Sequence, residues 1–73
     1  MTTNTATIDI TVNGKSVTVA ASSTIRDFLA SKKLADSMAI VERNGIIVPR
    51  AAYPETVLES GDALEIVHAV GGG

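Results

Sequence analysis

The one group with distinctive chemistry is a chain end. The sequence closes on Ala69-Val70-Gly71-Gly72-Gly73, with three of the six glycines in a row. Glycine lacks Cβ, so such a thread enters backbone conformations closed to other residues and passes through a narrow channel. Its tip is the α-carboxylate of Gly73. A carboxylate with a reference pKa of about 3.3–3.7 is ionised at neutral pH and is a poor electrophile. To react it must first be activated, and nothing in this chain does that. No phosphate-cradling glycine motif lies between a strand and a helix. There is no cysteine, hence no thiol nucleophile, no persulfide and no thiolate metal site on this chain. The single histidine, His68, has no second group at a spacing that would make it a catalytic base, and a strand-end structural role is expected of it. A terminal glycine run can also be an idle end, so the body that presents it decides the matter.

That body is one small domain. Seventy-three residues bury a thin core, and a 45% hydrophobic content supplies it without disulfides. A net charge of −2 with a pI near 5.1 gives no basic footprint for nucleic acid and favours a basic partner surface. The apolar runs are too short to span a membrane, and no charged-then-apolar leader opens the chain. A cytoplasmic protein, monomeric when free, is expected.

Residues 1–5 read as a disordered lead-in and residues 6–69 as the folded domain, with 70–73 a flexible reactive tail. Thr7 to Val12 alternates with period two, placing Ile8, Ile10 and Val12 on one face. Asn13-Gly14 predicts a type I′ hairpin turn into Lys15 to Val19, with Val17 and Val19 inward. Thr24 reads as an N-cap and Asp27 as its capping-box partner. Ile25, Phe28, Leu29 and Leu34 form an apolar helical stripe, with Lys32 and Lys33 in the last turn. Met38 to Arg43 predicts a third strand, with Glu42 and Arg43 a solvated pair. Asn44-Gly45 turns the chain into Ile46 to Val48, which Pro49 stops. Arg50 to Pro54 holds at most one helical turn, and Arg50 reads as a surface residue. Glu59 to Asp62 is a turn, Asp62 included. Ala63 to Ala69 is the last strand.

The order strand, strand, helix, strand, strand, strand makes an α+β domain in which one helix crosses one face of a mixed sheet. The last strand belongs at the centre, parallel to the first. The uncovered face, with Glu65 and Val67, is open for docking or for solvent. This is the β-grasp arrangement.

The C-terminal half also resembles a known family. Ile47-Val48-Pro49-Arg50, Gly61-Asp62 and Leu64 through Gly73, with Val41-Glu42-Arg43-Asn44-Gly45, resemble ThiS, the ubiquitin-like sulfur carrier of thiamine biosynthesis. The resemblance covers nearly everything after Thr5. Tyr53 stands where many members carry tryptophan, and the lead-in is a few residues longer than usual. The resemblance implies a ββαβββ ubiquitin-like fold and a protein co-substrate with no catalysis of its own. A ThiF-like adenylating enzyme would use ATP and Mg²⁺ to adenylate Gly73. Sulfur derived from a cysteine desulfurase would then give a thiocarboxylate, and a ThiG-like thiazole synthase would receive the sulfur. Val70, Gly71 and Gly72 would thread into the partner enzyme, and no cofactor or metal would bind this chain. The same chemistry in molybdopterin synthesis or protein tagging, and a plain β-grasp module with an idle tail, are the alternative readings.

Overall fold

The computed structural model describes residues 6–68. The expected lead-in over residues 1–5 and the tail over 70–73 lie outside them, as does Ala69. Strand β1 (Thr7–Val12) turns at Asn13-Gly14 into β2 (Lys15–Ala20). Both turn residues have positive φ, 51° and 84°, as a type I′ turn requires. The register pairs Ile8 with Val19 and Ile10 with Val17, so the alternating apolar residues share the core face.

Helix α1 (Ile25–Ser31) starts at the predicted capping box. The Asp27 amide donates to Thr24 Oγ1 at 3.1 Å, and the Thr24 amide donates to Asp27 Oδ2 at 2.9 Å. The next amides, of Ile25 and Arg26, donate to the carbonyls of Thr56 and Tyr53. The helix start is thereby fastened to the later connection.

The end of α1 differs from the expectation. Lys32 and Lys33 are not in the last turn, because the helix stops at Ser31 and Lys32 is its C-cap. Lys33 takes φ 61°. Its amide donates to Ala30 O and the Leu34 amide to Leu29 O, both at 2.9 Å. These are the two bonds of a Schellman motif, whose left-handed position usually holds glycine. A lysine there hides the signal. Leu34 therefore lies beyond the helix, half-buried and packed against the core. The Lys32 amine instead stands 5.6 Å from the Phe28 ring centroid.

A 3₁₀ turn (Asp36–Met38) leads into β3 (Ala39–Arg43), so Met38 falls in the turn and not in the strand. Asn44-Gly45 repeats the positive-φ turn, at 52° and 86°, into β4 (Ile46–Ile47). Strand β4 is one residue shorter than predicted, although the Val48 amide still donates to Val41 O. A 3₁₀ turn (Arg50–Ala52) follows, and β5 (Ala63–His68) ends the described chain.

The sheet order is β2-β1-β5-β3-β4. Strand β5 is central, parallel to β1 and antiparallel to β3. Helix and sheet enclose Ile10, Ile25, Phe28, Leu29, Val41, Leu58, Leu64 and Ile66. Tyr53 is buried among them, and its hydroxyl donates to Ala39 O at 2.8 Å. The ring fills the core while its polar end is satisfied.

Lysine at a left-handed position carries a steric cost that glycine does not. Lys33→Gly is expected to stabilise the protein by about 0.5–1 kcal/mol, read as a rise in the urea midpoint with an unchanged denaturant slope.

Candidate functional site

The tail residues singled out by the sequence, Val70, Gly71, Gly72 and Gly73, lie outside the described residues. What the structure gives is their point of departure. Strand β5 runs between β1 and β3. On one side its pairing runs from Arg43↔Leu64 to Ala39↔His68, so the β3 ladder reaches its last residue. On the other side β1 pairs only at Thr11↔Ala63 and Val12↔Leu64 before the chain turns away at Asn13.

Both turn asparagines reach across to β5. The Asn13 carboxamide accepts from the Ile66 amide at 2.8 Å and donates to the Ile66 carbonyl at 3.2 Å. The Asn44 carboxamide accepts from the Ala63 amide at 2.9 Å and donates to Asp62 Oδ1 at 3.1 Å. The central strand is therefore held at its first residue, Ala63, and at Ile66 by the side chains of two turn residues.

Asp62, read from the sequence as a turn residue, is a buried hub. Its carboxylate accepts from Arg43 Nε and from the Glu59 amide, both at 2.9 Å, besides Asn44. Burial raises its pKa, but the Glu59 amide, the Arg43 guanidinium and the Asn44 amide outweigh that and hold it below the ordinary aspartate value. Arg43 is accordingly not paired with Glu42. It bridges Asp62 and, at 3.9 Å, Glu59. Arg43 and Asn44 lie nineteen and eighteen residues before Asp62, so no local pattern announces their share of the hub.

The sheet face away from α1 carries Ala63, Glu65 and Val67 of β5. Ile40 and Glu42 of β3 are their cross-strand neighbours, and Ile47 of β4 lies opposite Glu42. Val67 is 68% exposed, Ile47 64% and Ile40 54%. Glu42 stands directly opposite Glu65, a like-charge pairing that costs stability in a free sheet. Toward Asp9, Thr11, Ser16 and Thr18 the same face is polar, with Thr18 Oγ1 donating to Asp9 Oδ1 at 2.8 Å. Single exposed apolar residues are ordinary. Here Ile40 and Val67 are cross-strand partners and Ile47 lies opposite Glu42, so apolar and acidic side chains are interleaved on this face.

His68 ends β5, solvent-exposed, beside a groove of about 270 Å³ lined also by Asn13, Phe28 and Lys32. Arg50 is exposed, and its Nε donates to Asp36 O at 2.9 Å. Among the described residues no group of three His, Cys, Asp or Glu side chains could hold a metal. No helix there is long and apolar enough to cross a membrane.

A five-stranded mixed sheet with β5 central and parallel to β1, crossed by one helix, defines a β-grasp protein of the ubiquitin-like kind. Within that class the chain belongs to the ThiS family, whose family model matches residues 4–73. The sulfur carrier protein ThiS of Bacillus subtilis is 50% identical over 50 residues, covering 68% of this chain and 76% of that protein. The crystal structure of the thiamine biosynthesis protein ThiS from Geobacter metallireducens is 38% identical and superposes with a TM-score of 0.74. That match covers 90% of this chain and all of that one. A thiazole synthase of Paramagnetospirillum magneticum is 36% identical over 64 residues, 88% of this chain but only 20% of that protein. A stretch similar to the present chain thus forms a small part of a much longer synthase.

The Asp62 hub makes stability sensitive to acid. A carboxylate whose folded pKa lies below its unfolded value stabilises the protein fully above the unfolded value of about 3.9. That contribution disappears as pH falls through the folded value. Asp62→Ala is expected to cost about 1.5–3 kcal/mol at pH 7, and Asp62→Asn to flatten the decline in thermal midpoint as pH falls below about 4. An unaltered acid limb in the asparagine variant would show that other carboxylates set it.

Proposed function

We propose that this chain carries sulfur for thiazole formation in thiamine biosynthesis as a thiocarboxylate on Gly73. It is a carrier and not a catalyst. The observation that supports this most directly is the family match, which extends through residue 73 and so includes the terminal glycines. The structure adds the mechanical premise: the strand leading to those glycines is the central strand of the sheet.

In this reading Val70, Gly71 and Gly72 pass into the channel of a partner adenylating enzyme. The Gly73 carboxylate attacks the α-phosphorus of the partner's ATP, held with Mg²⁺, and pyrophosphate departs. Hydrosulfide, freed by a thiol reductant from the persulfide of a cysteine desulfurase, then displaces AMP at the acyl carbon. The thiocarboxylate that results is the form handed to thiazole synthase. The synthases of which a similar stretch forms part favour this destination over molybdopterin synthesis or protein tagging. The chain itself binds neither ATP nor metal, and works in the cytoplasm as a monomer between encounters.

Ordering a thread in a partner's channel costs about 1–2 kcal/mol of backbone entropy per residue. Contacts from the folded body must offset it. The open face supplies them in this reading, with Ile40, Ile47 and Val67 as apolar anchors and Glu42 and Glu65 facing a basic partner surface.

Incubation of the full chain with ATP, Mg²⁺ and the adenylating enzyme, followed by intact mass, tests the proposal. Adenylate on Gly73, and sulfur replacing one oxygen once a sulfur donor is added, are the expected products. Deletion of Gly73 should abolish both while leaving the circular dichroism spectrum unchanged. Unmodified protein in every arm would contradict the carrier reading.

A further inference from the structure

Strand β1 ends before β5 does, and a side chain continues its work. Asn13 N–H still donates to Leu64 O at 2.9 Å, which is the last backbone bond from β1 to β5. Two residues later, β5 would face the departing turn with the Ile66 N–H and C=O both directed at β1. The Asn13 carboxamide meets both, at 2.8 and 3.2 Å. A carboxamide carries one acceptor and one donor side in a plane, like a peptide group. Asn13 thus acts as a surrogate strand residue that extends the parallel ladder by one step. The reach exists because Asn13 sits at φ 51° in the turn, a conformation asparagine tolerates well.

From this geometry we infer that Asn13 is a positioning residue for the reacting chain end. It fixes β5 on the β1 side at Ile66, two residues before the end of the strand, and thereby sets the direction in which the chain leaves the sheet. The inference rests on the carrier reading for its functional consequence, since a thread that must find a partner's channel gains from a fixed base. Pre-set geometry at a distance from the reacting atoms commonly governs rate in this way.

The second turn provides the control. Asn44 occupies the same turn position at φ 52° and also holds β5 through its carboxamide, but at Ala63, the opposite end. Asn13→Gly and Asn44→Gly each keep a turn compatible with positive φ and each remove one carboxamide. Both lower stability. Only the first loosens the end from which the tail departs.

The experiment is pyrophosphate–ATP exchange catalysed by the partner adenylating enzyme, with the full-length carrier as varied substrate, at a temperature where all three proteins are folded. Asn13→Gly is expected to lower kcat/KM about tenfold, chiefly through KM, and Asn44→Gly to stay within about twofold of wild type. Amide hydrogen exchange on the free proteins gives a readout independent of the partner. The Ile66 amide should exchange faster in Asn13→Gly, and no faster in Asn44→Gly than their difference in global stability allows. Equal kinetic effects of the two variants, or an Ile66 amide indifferent to the loss of Asn13, would overturn the positioning role. Wild-type protein that supports no exchange at all would instead overturn the carrier reading, leaving the brace to be decided by the Ile66 amide alone.

Discussion

The parallel alignment of β5 with β1 is the constraint on which this structure turns. A parallel pair cannot be closed by a tight turn, so everything between the N-terminal hairpin and the last strand is one long crossover. That crossover contains α1, which covers one face, and the β3–β4 hairpin, which supplies the second neighbour of β5. Only this path puts the last strand in the middle of a five-stranded sheet. The chain end then leaves from the best-supported element in the molecule. Had β5 been an edge strand, the tail would depart from a border that frays.

A small domain has little energy to spend on rigidity, and the structure concentrates it around that strand. Leu64 is fully buried and Ile66 nearly so, packed beneath α1. Asp62, just before β5, gathers Arg43, Asn44 and the Glu59 amide into one network. Asn13 and Asn44 add side-chain hydrogen bonds to the strand at Ile66 and Ala63. Against this, the like-charged pair Glu42 and Glu65 on the open face runs counter to stability. In the proposed carrier reading that pair faces a basic partner surface.

Much of this was legible in the sequence because it is local. Period-two alternation gave β1 and β2, two Asn-Gly pairs gave the turns, and Thr24 with Asp27 gave the helix start. The central place of β5 followed from element order. The rest depended on contacts no window contains. Lys33 in a left-handed conformation ends α1 a turn early, because the Schellman bonds and the docking of Leu34 outweigh the lysine's steric cost. Asp62 looked like any aspartate after glycine, and its partners lie up to nineteen residues away. The asparagines were read as turn formers, which they are. That their side chains also serve β5 depends on where the crossover brings the last strand.

The central claim is that β5 is a rigid base and not merely the last strand to join. Native-state hydrogen exchange of the β5 amides Leu64 to Val67 under rising denaturant tests it most directly. The account predicts that these amides exchange only through the opening that unfolds the whole molecule, with the full denaturant slope of global unfolding. A separate low-energy opening of β5, with β1, β2 and β3 still protected, would contradict it.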